Sequence, residues 1–320
     1  MQDLTDFYID GGWRAPVSAA RLDVENPATE SPIARIALAG QADVDAAVAA
    51  ARAAFPAWAA TPVADRAAVL RRVLALTQER LEDLAQAITA EMGSPITLSR
   101  EEQAAAGVGH LEGFLDALDH VAWREALANG DVLLREPVGV CGLITPWNWP
   151  INQIALKVLP AIATGCTCVL KPSELTPLSA VIYTQILHDA GVPPGVVNLI
   201  HGTGPEAGAA LSRHPGVDMI SFTGSTRGGT AVSTDAAPTV KRVALELGGK
   251  SPNLVFADCG DALEARVQGA VAECFLNTGQ SCDAPTRLVV ERPVYDRVCA
   301  IAAAAAEATQ VGDPTQPGDH

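Results

Sequence analysis

Aromatic side chains are scarce in this 320-residue sequence, at 4%, and basic ones are outnumbered, with 22 Lys and Arg against 37 Asp and Glu. The first shortage means that packing rests on Ala, Leu, Val and Ile, which dominate a 48% hydrophobic content and fill alanine-rich helical stretches such as 46–60. The second leaves a formal net charge of −15, which repels both nucleic-acid backbones and anionic membranes and argues against either as a partner. Solubility is the plainer use of the same charge. No stretch approaches the about 18 uninterrupted apolar residues of a membrane span. The opening MQDLTDFYIDGGWRAP has acids where a secretory leader needs a basic region and an apolar run, so the chain reads as cytoplasmic. The seven cysteines (141, 166, 168, 259, 274, 282, 299) are odd in number and lack a repeated CxxC pattern. Free thiols in a reducing compartment fit them, and a zinc or other metal site does not.

What is present is enough apolar residue for two domains, or one and a part. From Asp43 to about Ala122 apolar residues recur at helical spacing, as in Leu70, Val73, Leu74, Leu81, Leu84 and Ile88, with breaks expected at Pro56, Pro62 and Gly93-Ser94-Pro95. Asn129-Gly130, between Trp123 and Arg135, is a hairpin signal. Beyond it, strand-like runs at 138–144, 167–171, 196–200, 219–223 and 242–247 alternate with helical segments at about 151–164, 178–190, 204–213 and 226–234. That alternation predicts a parallel sheet with helices on both faces, binding ligands at the carboxyl ends of its strands. A second α/β unit opens near Gly249 with strands 251–256 and 287–291 and helices 261–276 and 294–308, and its sheet is scarcely filled.

Several short stretches suit chemistry, each with a plainer alternative. In SFTGSTRGG (221–229), Gly224 permits close backbone approach, and the helix start with the Ser225 hydroxyl suits a phosphate oxygen; a simple N-cap uses the same residues. GTGPEAG (202–208) is a second strand-to-helix glycine run, and a tight turn explains it equally. LKPSELTP (170–177) sets Lys171 at a strand end and Glu174 three residues on, a pair that can grip ribose hydroxyls and disfavour a 2′-phosphate. A surface lysine with a first-turn helical acid is the alternative. TPWNWPI (145–151) frames Asn148 with two tryptophans and two prolines, a stiff setting for an oxyanion donor or simply a proline-rich turn. ALELGGKSP (244–252) puts Glu246 in an apolar strand, as a general base or half of a buried ion pair. NTGQSCDAPTR (277–287) places Cys282 in a crowded polar turn.

In this order and at this spacing, PWNWP, KPSE, FTGST, ELGGKSP and GQSC resemble the NAD(P)-dependent aldehyde dehydrogenase superfamily, from about Tyr8 onward. The resemblance implies a Rossmann-like cofactor domain (1–116 and 135–248), an oligomerisation hairpin (117–134) and part of a catalytic domain (249–320). It implies Cys282 as nucleophile, Glu246 as general base, and Asn148 with the Cys282 N–H as oxyanion hole. Lys171 and Glu174 would hold the adenosine ribose, and Gly224 and Ser225 would meet the pyrophosphate. Ile144, Thr145, Pro146, Trp147, Ser173, Gly204, Gly208, Phe222, Thr223, Gly229 and Leu247 match other cofactor-lining positions. The implied cofactor is NAD, with NADP possible, the partner a small aldehyde, and the assembly a homodimer or homotetramer. Family members continue for well over a hundred residues, with a Glu-Ile-Phe-Gly-Pro segment that this sequence lacks. The expectation is therefore a fragment of a working enzyme; a truncated, non-catalytic nucleotide-binding or subunit-pairing protein is the alternative.

Overall fold

The computed structural model describes residues 1–318; Asp319 and His320, the last two positions of the expected second unit 249–320, lie outside the described residues. Its strands are β1 (Gln2–Leu4), β2 (Phe7–Ile9), β3 (Gly12–Arg14), β4 (Arg21–Asn26), β5 (Ser31–Ala37), β6 (Arg124–Ala126), β7 (Val132–Leu134), β8 (Val140–Ile144), β9 (Thr167–Lys171), β10 (Val197–Leu199), β11 (Met219–Gly224), β12 (Arg242–Leu247), β13 (Pro252–Val255) and β14 (Arg287–Val290). The main sheet runs β12-β11-β8-β9-β10-β2-β3, and its first five strands are mutually parallel. Helices Pro150–Ala163, Leu178–Asp189 and Thr226–Ala236 provide crossovers.

Alternation along the strands covers both faces. In β8 and β9, Cys141, Leu143, Cys168 and Leu170 pack on one side with Leu111, Ile154, Leu159 and Tyr183, while Val140, Ile144 and Val169 pack on the other with Val44, Val48, Leu211 and Ile220. Burial on both faces is why these strands read as near-continuous apolar runs. The helical region contains Gln41–Ala60, Val63–Glu79, Leu81–Met92 and Ala105–His120. Pro56, expected to break it, lies inside the first of these helices on its exposed side, where water can replace the missing backbone bond. The expected helix 204–213 is a π turn, Gly204–Gly208, followed by the short helix Ala209–Arg213.

The sheet is not wholly parallel. The β2–β3 hairpin extends it antiparallel to β10, with Tyr8 opposite Leu199. Its turn is Asp10-Gly11, both at positive φ (55° and 77°), the conformation that Asp-Gly favours. A separate sheet orders β1-β5-β4, the Asn129-Gly130 hairpin forms β6–β7, and β13–β14 form a two-stranded parallel sheet. That last sheet has a small buried core of Val255, Leu263, Val267 and Val298. No helix among the described residues is long and apolar enough to cross a membrane.

Candidate active site

Register brings the separate motifs to one edge. Ile144 is opposite Phe222 on one side and Lys171 on the other, while Thr223 and Gly224 lie opposite Glu246 and Leu247. The turns leaving β8, β9 and β11 therefore emerge together at the carboxyl end of the sheet.

At the turn after β8, Thr145 N–H donates to the Lys171 carbonyl at 3.1 Å, with Pro146 and Trp147 following. Pro150 occupies the first turn of helix Pro150–Ala163, where its missing N–H removes no intrahelical bond. Between them Asn148 is held from both ends. Its carbonyl accepts from Gln103 Nε2 (3.2 Å) and Asn277 Nδ2 (2.8 Å), and Gln103 Nε2 also donates to Asn277 Oδ1 at 2.9 Å. Its side-chain Nδ2 donates to the Gln280 carbonyl at 2.6 Å, two residues before Cys282, and Trp149 Nε1 donates to Ser281 Oγ at 2.9 Å. One amide hydrogen of Asn148 is thus committed to the cysteine loop and the other stays available.

That loop carries backbone strain. Asn277 and Thr278 are both left-handed, at φ 56°; Asn tolerates this, but a β-branched Thr does so only where its surroundings enforce it. The buried Gln103–Asn277 pair supplies that enforcement. Cys282 is exposed, as only Cys299 is among the other six, and its carbonyl accepts from Gly249 N–H at 3.1 Å. A side chain at Gly249 would press on that carbonyl at 3.3 Å. Gly249 lies three residues past Glu246, so the cysteine loop is bonded to the chain leaving β12 as well as to the turn after β8. Cys282 N–H makes no backbone hydrogen bond among the described residues.

Glu246 lies near the end of β12. Its strand is the sheet's edge, so the side chain is exposed, and no ion pair holds it among the described residues. The buried-pair alternative is thereby removed. Buried Lys157 donates to Ser221 Oγ at 2.9 Å and is pushed down to about 8 by burial, with Glu246's charge acting upward. Sequence reading missed Lys157, although a lysine amid the apolar run 150–163 is itself a signal. It also missed Gln103, which sits in the π turn Ser99–Gln103, an irregularity often found at functional sites.

Lys171 is no surface residue, being 2% exposed. Its ammonium donates to the carbonyls of Pro172 (3.0 Å) and Gly202 (2.8 Å) and reaches Glu174 Oε2 at 3.5 Å; burial pushes its pKa down and Glu174 pulls it up. Glu174 lies in the turn ahead of helix Leu178–Asp189, so the first-turn alternative is also excluded. Ser173 Oγ accepts from Leu175 N–H at 3.2 Å. Ser225 is an N-cap, accepting from Gly228 N–H at 3.1 Å. A side chain at Gly224 would meet the Phe222 ring, and one at Gly229 would meet Leu247, at 2.7 and 2.9 Å. Gly208 faces Ile144 and Lys171 with room for a Cβ at 3.9 Å, and Gly204 faces open space.

An NAD-like group fits this edge. The Thr145 and Thr223 hydroxyls are buried without a partner among the described residues, glycines line the approach, and the cap of helix Thr226–Ala236 supplies donors. No cluster of metal-ligating side chains occurs among the described residues. Grooves of about 330 and 490 Å³ beside Leu4, Val181 and Gln185 lie away from this edge.

Residues 13–320 match the profile of the aldehyde dehydrogenase family. The chain belongs to the aldehyde dehydrogenase family. It is 50% identical over 315 residues to 3-succinoylsemialdehyde-pyridine dehydrogenase of a Pseudomonas species, covering 98% of this chain and 65% of that relative. It superposes on aldehyde dehydrogenase from Bartonella henselae with TM-score 0.97 at 45% identity, covering 100% of this chain and 67% of that one. A cysteine-to-alanine mutant of aldehyde dehydrogenase C from Pseudomonas syringae, complexed with NAD+ and octanal, gives 0.95 at 51% identity, covering 97% and 63%. The chain thus spans about two thirds of the length of these aldehyde dehydrogenase relatives.

Proposed function

We propose that this chain carries the cofactor site and reactive thiol of an enzyme oxidising an aldehyde to a carboxylic acid with NAD. The observation that carries the reading is the linkage of Asn148 to the Cys282 loop through Gln280, at the sheet edge where Lys171, Glu174 and Ser225 emerge. The Cys282 thiolate attacks the aldehyde carbon, giving a tetrahedral thiohemiacetal. The free Asn148 amide hydrogen and the Cys282 N–H stabilise its oxygen. NAD held at this edge would supply the hydride acceptor that lets this adduct collapse to a thioester on Cys282. Glu246, exposed at the strand end, takes a proton from the water that hydrolyses it.

In the same reading Lys171 and Glu174 bind the adenosine ribose with Ser173 beside them, and Gly224 and Ser225 face the pyrophosphate. Ile144, Thr145, Pro146, Trp147, Gly204, Gly208, Phe222, Thr223, Gly229 and Leu247 complete the cofactor surface. The P. syringae relative's complex with NAD+ and octanal supports NAD as cofactor and an aldehyde as substrate. Segments 1–116 and 135–248 form the cofactor unit, and 249–320 supply the thiol. Segment 117–134, expected as a hairpin throughout, begins with the end of helix Ala105–His120, and its β6–β7 hairpin, with Leu127, Val132, Leu133 and Leu134 40–53% exposed, pairs subunits into a homodimer or homotetramer. All seven cysteines are free, in keeping with a cytoplasmic setting. The test is NADH formation from a panel of aldehydes by wild type, Cys282→Ala and Cys299→Ala. Loss confined to Cys282→Ala supports the assignment; a Cys282→Ala enzyme near the wild-type rate removes it.

A further inference from the structure

Helix Leu178–Asp189 begins without a cap from its own sequence, because Pro177 stands at the N-cap position and offers no side-chain acceptor. Its first two backbone donors go to a distant residue. Leu178 N–H donates to Glu91 Oε2 at 2.5 Å, Ser179 N–H to Glu91 Oε1 at 3.1 Å, and Ser179 Oγ to the same Oε1 at 2.6 Å. Glu91 belongs to helix Leu81–Met92 and is 3% exposed. Around this contact, Ala87 and Leu178 pack with Val24, Ala34 and Ile36. A buried carboxylate facing a helix's positive end and accepting three bonds is a firm anchor.

The anchored residues directly follow the turn 172–177, which is fixed at its entry by Lys171 on the Pro172 and Gly202 carbonyls. Inside the turn, Leu175 N–H donates to Ser173 Oγ and Thr176 N–H to the Ser173 carbonyl. Among the described residues, the other bond at its exit is the helix's own, from Val181 N–H to the Pro177 carbonyl at 3.0 Å. We propose that Glu91 is a positioning residue for this turn, holding its exit so that Glu174 stays at the sheet edge to receive the adenosine ribose. The inference rests on the assignment of Lys171 and Glu174 to the cofactor ribose. It adds that a residue outside the site, on helix Leu81–Met92, sets how tightly the site binds.

The test is calorimetric titration of NAD into the full chain for wild type, Glu91→Gln, Glu174→Gln and the double variant, with thermal unfolding followed in parallel. The Glu91→Gln side chain keeps one acceptor oxygen but turns an N–H₂ toward a donor, so Kd for NAD should rise about tenfold, the weight of one charge-assisted hydrogen bond. If Glu91 acts by placing Glu174, the double variant binds no worse than Glu174→Gln alone, because the two losses are one loss. A cap that only stabilises the helix gives a lower Tm with Kd unchanged, or losses in Kd that add, and either overturns the proposal. Should Glu91→Gln not fold, Ser179→Ala deletes one of the three donors and should raise Kd about threefold, with the same coupling to Glu174; no change in Kd overturns the proposal. Wild-type chain that binds no NAD instead removes the cofactor assignment itself, a result distinct from an unchanged Kd in the variants.

Discussion

Every residue of β8 and β9 is buried, whereas β13 and β14 alternate between covered and exposed positions, leaving Leu254 and Val289 57% and 53% exposed. One sheet is sealed by helices on both faces; the other has two strands over the four buried residues of its core. Cys282 sits with the second. Its position is set less by packing around it than by hydrogen bonds reaching out of the first unit: Asn148 to Gln280, Trp149 to Ser281, and Gln103 to Asn277. A well-packed platform holds the carboxyl edge of the main sheet, and directional polar contacts hold the Cys282 loop against it. Such contacts specify geometry more sharply than apolar burial does.

The widest way to sharpen this contrast is a matched pair of truncations. Leu159→Ala, in the sealed core, should cost about 2–5 kcal/mol in denaturant unfolding, while Leu254→Ala on the small sheet should stay within about 0.5 kcal/mol. Equal losses would mean that the two sheets are equally packed. The next largest effect concerns the polar tether. Asn148→Ala removes both the bond to Gln280 and the free donor, and kcat should fall about 10²- to 10³-fold with stability nearly unchanged. A drop matched by unfolding would mean that the tether is only structural.

Cofactor choice comes third. A 2′-phosphate would lie beside the Glu174 carboxylate, so Glu174→Gln should shift kcat/KM toward NADP by about tenfold, roughly 1.4 kcal/mol. An unaltered NAD to NADP ratio would take Glu174 out of the selection. The smallest effect is in pH. Burial pushes Glu91 up to about 7, against the pull of its hydrogen bonds to Ser179 and Leu178. A raised carboxyl keeps its proton in the folded chain where the unfolded chain has released it, so its stabilising share is full below about 4.5 and lost as pH rises through 7. The difference in Tm between wild type and Glu91→Gln should therefore change across that window and be flat above it.

The inner parallel strands of the main sheet were legible because burial on both faces leaves unbroken apolar runs, and 167–171 was read with its observed bounds, as was the edge strand 242–247. The β2–β3 hairpin was not, since three-residue strands carry no periodicity; its Asp10-Gly11 turn was the available signal. A buried ion pair stood as the alternative for Glu246 because an apolar strand sequence does not reveal that its strand is the edge. Gln103, Lys157 and Glu91 escaped because their partners lie 174, 64 and 88 residues away in sequence, and only the fold brings them together.

The most direct test of the account is to trap the covalent step. The chain is mixed with NAD and a short aldehyde, quenched in acid and digested, and each cysteine peptide is weighed. An acyl adduct is expected on the peptide carrying Cys282, absent without NAD and absent in Asn148→Ala at early times. An adduct on Cys299 instead, or equal labelling of both exposed thiols, would contradict it.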